Sequence, residues 1–205
     1  MLPDPFFSID AVAAGLLSLS DVDNFLQIAR EGSRAARLTG GVSTSLEPAG
    51  THIEYRLLDG NDVVARAPRL HALYSHEFRR LAERVFGREL ISSPDVVNGV
   101  NINLLEGAGG RYEWHYDSNP YTGLLVLSPS SAALGGRLLF GRDRETQVAL
   151  SMFPGQLLLF DARNAAHAVE ELREATDRAT VPMNFFVAGE VIERPTDLDG
   201  SLYGS

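Results

Sequence analysis

Residues 111–119 read RYEWHYDSN and follow the glycine-rich run GAGG at 107–110. If this stretch is a strand, alternation puts Glu113, His115 and Asp117 on one face and Trp114 and Tyr116 on the other, as core. A His and an Asp two apart can hold a metal from one strand. They can also meet by chance, because 27 of 205 residues are acidic and about one position in eight would carry an acid. The chain has five His, and THIEYRL repeats the spacing with His52 and Glu54. The surrounding sequence has to decide between the two.

Outward from 111–119, residues 95 to 190 read as strand after short strand. VVNGVNINLLE, YEWHYD, TGLLVLS, GGRLLFG, TQVALS, GQLLLFD, AHAVEEL and RATVPMNFFVA are separated by Gly, Pro, Ser, Asp or Asn. Many short strands between turn signals predict a sandwich or barrel. In GVNINLL, Asn101 and Asn103 share one face while Val100, Ile102 and Leu104 share the other; Asn98 falls at the strand's start and belongs to a turn. RATVPMNFF repeats this, with Arg178, Thr180, Pro182 and Asn184 opposite Ala179, Val181, Met183 and Phe185. Aliphatic faces that pack on helices and a second sheet leave the polar faces to line an interior that can hold a ligand. Solvent exposure of those polar faces is the competing reading.

Residues 8 to 90 mix helices with a hairpin. Ser20 with Asp23 resembles a helix N-cap, and Val22, Phe25, Leu26 and Ala29 recur at helical spacing up to Gly40-Gly41. THIEYRLL, Asp59-Gly60 and NDVVARA read as a β-hairpin on a tight turn. Leu70, Leu73, Tyr74, Phe78, Leu81 and Val85 form a helical apolar stripe closed by Gly87, most simply core packing. The polar tail 191–205 reads as loose. The whole, 1–205, is expected to be one domain: an N-terminal support over 8–90 and a catalytic core over 95–190.

Composition narrows the chemistry. The chain has no cysteine, which excludes disulfides, thiolate metal sites, iron–sulfur clusters and thiol catalysis. A net charge of −9 without a basic cluster argues against a nucleic-acid partner. No Lys or Arg precedes Arg30, so no secretory signal is read, and no apolar run approaches the roughly 18 residues of a membrane span. A cytoplasmic protein with no membrane partner is expected; its oligomeric state is not legible.

The third ligand for a metal at His115 and Asp117 is His167, in DARNAAHAVEEL, 52 residues downstream and far enough for several strands to return the chain to one place. Nothing downstream of His52 and Glu54 reproduces that spacing. Two His and one carboxylate leave three positions open on an octahedral ion, which suits non-haem Fe(II) binding a bidentate cosubstrate and O₂. Arg178 lies eleven residues past His167, with Thr180 two further on. A guanidinium inside a cavity needs an anion, and a dicarboxylate that chelates the metal with its other end would meet it.

The ordered set HYD, GGRLLF, PGQLLLFD, H and RAT resembles the Fe(II)/2-oxoglutarate-dependent dioxygenases over residues 95–190. The resemblance implies an α+β, mainly β fold: a double-stranded β-helix, the jelly roll also found in cupins, with N-terminal helices packed on it. It implies that His115, Asp117 and His167 hold Fe(II) and that Arg178 and Thr180 hold the C5 carboxylate of 2-oxoglutarate. Asn103 is suitably placed for a further cosubstrate contact, while Leu105 stands where some relatives have Tyr. WHYDSNPYTGLLVLS more loosely resembles the small bacterial branch that acts on free amino acids and includes radical halogenases. In those halogenases a small residue replaces the acid; Asp117 implies hydroxylation or a related oxidation, using O₂ and 2-oxoglutarate, of an unactivated C–H in a small polar molecule. A protein side-chain hydroxylase and a cupin-like binding module without turnover are the alternatives. For substrate contacts, parity suggests Asn101 and Asn184, proximity suggests Tyr121, and Arg56 could meet a carboxylate, although a solvated hairpin arginine reads as well there.

Overall fold

The computed structural model describes residues 6–41, 44–141, 148–173 and 176–192. Strand β1 (Phe6–Asp10) leads to helix α1 (Leu19–Gly32), strand β2 (Arg34–Thr39) and strand β3 (His52–Leu58). Helices α2 (Gly60–Arg66) and α3 (Pro68–Leu73), a π-helical turn (Tyr74–Phe78) and helix α4 (Arg79–Phe86) follow. Strand β4 (Leu90–Ser92) and the short α5 (Val96–Gly99) lead into β5 (Ile102–Glu106), β6 (Tyr112–His115) and β7 (Tyr121–Val126). The chain continues through β8 (Leu138–Gly141), β9 (Val148–Leu150), β10 (Gln156–Asp161), β11 (Ala166–Val169) and β12 (Asp177–Val187).

These strands form two antiparallel sheets. The larger runs β1-β10-β7-β12-β5-β3-β2 with β4 also on β12, and the smaller runs β6-β11-β8-β9. The two sheets answer the sandwich or barrel expected from the strand pattern, and their order is the jelly roll that the resemblance implies. On the large sheet Leu125, Leu157, Leu159, Val181 and Phe185 pack outward into one cluster with Phe25, Leu70 and Phe78 of the helices. Their alternate neighbours Leu124, Val126, Leu158 and Phe160 pack inward with Leu138 and Phe140 of the small sheet. Because both faces are covered, GLLV and QLLLF read as unbroken apolar runs, and period-two alternation is visible only where one face is polar.

The stripe from Leu70 to Phe86 is helical as expected and stops at Gly87, whose φ of 64° is left-handed. Three expectations for the first half are corrected. Helix α1 is capped by Ser18, not Ser20: Ser18 accepts from the Asp21 amide and Asp21 accepts from the Ser18 amide. The helix ends at Gly32, and the stretch before Gly40-Gly41 is the strand β2. The partner of β3 is β2, from Arg34↔Leu57 to Thr39↔His52. Asp59-Gly60 is no hairpin turn: Asp59 caps α2 by accepting from the amides of Asn61 and Asp62. Gly60 is glycine because a Cβ there would lie 1.7 Å from the Val96 carbonyl oxygen. The strand expected over GVNINLLE starts at Ile102, after α5, so Asn98 lies outside it. Of the tail 191–205, residues 193–205 lie outside the described residues, as do residues 142–147 ahead of β9. Among the described residues no helix is long and apolar enough to cross a membrane.

Candidate metal centre and cleft

Strands β6 and β11 are antiparallel neighbours, and His115 and His167 stand directly opposite each other. Their rings lie 4.1 Å apart between centroids. Asp117 follows the end of β6, held by its amide to the Ala162 carbonyl at 3.0 Å. Its Oδ1 lies 3.3 Å from Nε2 of His115 and 3.7 Å from Nε2 of His167. One ligand atom from each of the three residues falls within 4.8 Å of the others. Spacing on one strand plus register to a second therefore brings the three residues together.

The second nitrogen of each imidazole fixes its tautomer. Nδ1 of His115 contacts the Glu113 carbonyl at 2.8 Å, and Nδ1 of His167 contacts the Ala165 carbonyl at 3.0 Å. A carbonyl can only accept, so both Nδ1 atoms carry a proton and both Nε2 atoms converge on Asp117, free to ligate a metal once unprotonated. The other carboxylate oxygen of Asp117 accepts from the Thr122 hydroxyl, whose oxygen in turn accepts from Asn119 Nδ2 at 2.8 Å. Burial alone would raise Asp117; the charges of His167 and His115 and the bonds from His115 and Thr122 outweigh it and hold the carboxyl well below its ordinary range. Burial and the neighbouring His115 push His167 down to about 4, so it is neutral and available as a ligand near pH 7. Burial also pulls His115 down, but the hydrogen bond and charge of Asp117 more than offset this and leave it raised.

The three residues open on a cleft between the sheets with about 1080 Å³ of empty space, part of it open solvent. Asn101, Asn103, Arg178, Thr180, Pro182 and Asn184 all line it, so the polar faces read from parity are interior. Arg178 is only 5% exposed. Its Nε donates to the Gly136 carbonyl at 2.8 Å and Nη1 to the Thr180 hydroxyl at 3.3 Å, while its buried Nη2 has no partner. No carboxylate pairs with it among the described residues, and burial lowers it to about 10. Gly136 packs against this cation with a φ of 68°; a Cβ on it would come within 3.1 Å of Arg178 Cδ. Asn103 faces Thr180 across the β5–β12 pair, and its buried Oδ1 is likewise without a partner. Leu105 faces Arg178 in the same ladder. A buried guanidinium with an unmet donor fits an incoming carboxylate, whereas the unmet Asn103 oxygen is an acceptor and calls for a donor.

Two expected substrate contacts lie elsewhere. The Tyr121 ring stacks on Phe86 of α4 at 4.0 Å, on the helix side of the large sheet; it is Thr122, one residue on, that faces the cleft. Arg56 sits on the outer face of β3, donating to the Ser33 carbonyl at 2.6 Å and to Glu106 at 3.1 Å. The same outer face carries His52 and Glu54, both exposed, with Glu54 paired to Arg37. Trp114 packs with Ala166 and Ala168 as core, whereas Tyr116 lines the cleft. The sequence reading missed Asn119, Thr122, Tyr55, Leu57 and Tyr112 on the cleft wall. For Thr122 parity with Tyr121 was the available signal; for Tyr55 and Leu57 it was alternation along THIEYRLL.

No protein-family model matches the sequence, and no curated protein matches it. Solved structures do. An α-ketoglutarate-dependent non-haem epimerase from nogalamycin biosynthesis, SnoN, superposes with a TM-score of 0.70 at 16% identity, over 98% of this chain and 86% of that one. EctD of S. alaskensis, solved with 2-oxoglutarate and 5-hydroxyectoine, gives 0.63 at 15% identity over 94% and 75%. A Trichoplax adhaerens prolyl hydroxylase bound to a peptide of hypoxia inducible factor gives 0.62 at 17% over 90% and 84%. At these identities the likeness establishes a shared fold.

Proposed function

We propose that the protein is a non-haem Fe(II)/2-oxoglutarate-dependent oxygenase that hydroxylates, or otherwise oxidises, an unactivated C–H of a small polar molecule such as an amino acid or natural-product intermediate. The observation that carries this is one cleft holding both a convergent His115–Asp117–His167 set and a buried Arg178 with an unmet donor. His115, Asp117 and His167 would hold Fe(II), the donor set that suits it. Arg178 and Thr180 bind the far carboxylate of 2-oxoglutarate, with Asn103 beside them. Bound iron and 2-oxoglutarate supply the activation of O₂, with 2-oxoglutarate oxidised to succinate and CO₂.

The chain's own part is positioning. The Glu113 and Ala165 carbonyls orient the two imidazoles, Thr122 turns Asp117 toward them, and Gly136 and Thr180 aim the guanidinium. Phe160, Leu138, Leu124 and Val169 line the same cleft and keep water from the reacting region. Asn101 and Asn184 are the polar wall residues we assign to substrate, and the described residues belong to one domain built round this cleft.

The test is turnover. Protein with Fe(II), 2-oxoglutarate and O₂ is expected to form succinate, stimulated by at least one member of a panel of free amino acids. Stimulation by peptides alone would move the assignment to a protein hydroxylase. Absence of succinate under every condition, with no anaerobic binding of Fe(II) and 2-oxoglutarate, would refute it.

A further inference from the structure

We infer that the substrate presents a cationic nitrogen, an ammonium or guanidinium, to the carboxylate of Glu113. The inference rests on the oxygenase reading above and names the substrate class of that cleft.

Glu113 is 2% exposed and lines the cleft that holds Asp117 and Arg178. Its one hydrogen-bond donor among the described residues is the Ser45 hydroxyl, at 2.5 Å on Oε2. No Arg or Lys forms an ion pair with it there; Arg111, the basic residue near it, is engaged by Glu47 at 3.1 Å. Buried carboxylates are normally paired or metal-bound, because leaving water uncompensated is costly.

On the oxygenase reading, Asp117 would belong to the metal and Arg178 to the cosubstrate carboxylate. Glu113 is the carboxylate left over, and Arg178 is the sole cationic side chain among the residues lining the cleft. A second anionic ligand would meet an unbalanced carboxylate, while a cation would balance it. The wall agrees with a cation. Tyr55, Tyr112 and Tyr116 line the same cleft, with Tyr55 and Tyr112 edge to face at 5.6 Å. Tyrosine faces attract ammonium and guanidinium groups. Glu113 also ties Ser45 to β6, where Ser45 bridges His115, but that role needs only an acceptor, which a glutamine would supply.

The experiment is anaerobic calorimetry on protein loaded with Fe(II) and 2-oxoglutarate. The probes are L-arginine, L-citrulline, L-lysine, L-norleucine and L-glutamate, each with a free and an acetylated α-amine. In the wild type, binding is expected to follow cationic nitrogen, with a cationic member at least about 30-fold tighter than its neutral counterpart. Glu113→Gln is expected to erase that preference. Ser45→Ala, which keeps the carboxylate and loses its tether, is expected to retain it. Equal binding of neutral and cationic members, binding of none of the cationic members, or a preference unchanged in Glu113→Gln overturns the inference. The loading step separates the two claims: a protein that takes up Fe(II) and 2-oxoglutarate but shows no cation preference refutes only the substrate class, and one that takes up neither refutes the oxygenase reading.

Discussion

His52 and Glu54 on β3 have the same two-residue spacing as His115 and Asp117 at β6, yet the two places differ in everything a metal needs. On β3 both side chains are exposed on the outer face, and Glu54 is spent on Arg37 at 2.6 Å. At β6 the pair faces inward, a second histidine stands opposite on β11, carbonyls fix both imidazole tautomers and Thr122 orients the acid. A motif of two residues is common; what makes one copy a site is the strand register that delivers the third ligand and the burial that removes competing partners. Arginine repeats the lesson. Arg37 and Arg56 are satisfied by neighbours on the surface, whereas Arg178 is buried with a donor unmet.

The comparison breaks most sharply at His167. His167→Ala is expected to abolish stoichiometric Fe(II) binding in anaerobic titration, while His52→Ala leaves it unchanged. Next in size is Arg178→Met, expected to weaken 2-oxoglutarate binding by about 100-fold or more, on the order of 3 kcal/mol. Thermal melts sharpen this case. Without ligand, Arg178→Met is expected to match or exceed the wild type, because an unpaired buried cation is removed, and it should lose the stabilisation that 2-oxoglutarate gives the metal-loaded wild type. Thr122→Val comes third: losing the bond to Asp117 should lower Fe(II) affinity about 10- to 100-fold without changing stoichiometry. Acid is a milder perturbation. Ligation needs neutral imidazole, and Asp117 holds His115 protonated to a higher pH than usual in the metal-free protein. Fe(II) affinity measured by titration should therefore begin to fall above the ordinary histidine range and keep falling as pH drops through it, up to about tenfold per unit for one displaced proton. The smallest effect is expected from Arg37→Ala, under about 1 kcal/mol in a denaturant melt, because an exposed pair contributes little.

The site was more legible in the sequence than the fold around it. His115, Asp117 and His167 stand out because ligand spacing and strand alternation act within a few residues. Arg178, Thr180, Asn103 and Asn184 follow from parity along β5 and β12, where one face is polar and the other aliphatic. Parity failed where that contrast reversed. On β3 the apolar residues Tyr55 and Leu57 face the cleft, and the polar face with Arg56 points out, so polarity alone picked the wrong side. Tyr121 looked close to the metal in sequence, yet the turn through Asn119-Pro120 sets Thr122 inward instead. Asp59-Gly60 carries the same letters as a hairpin turn; only the approach of Val96 to Gly60 shows why glycine is needed there, and that contact spans 36 residues.

The central claim is that one metal centre and one anion-binding arginine act on one cosubstrate. Anaerobic titration of the protein with 2-oxoglutarate, with and without one equivalent of Fe(II), tests it directly. Tight 2-oxoglutarate binding that requires the metal and is lost in both His167→Ala and Arg178→Met is the expected result. Binding of 2-oxoglutarate that is equally tight without metal, or that survives His167→Ala, would contradict it.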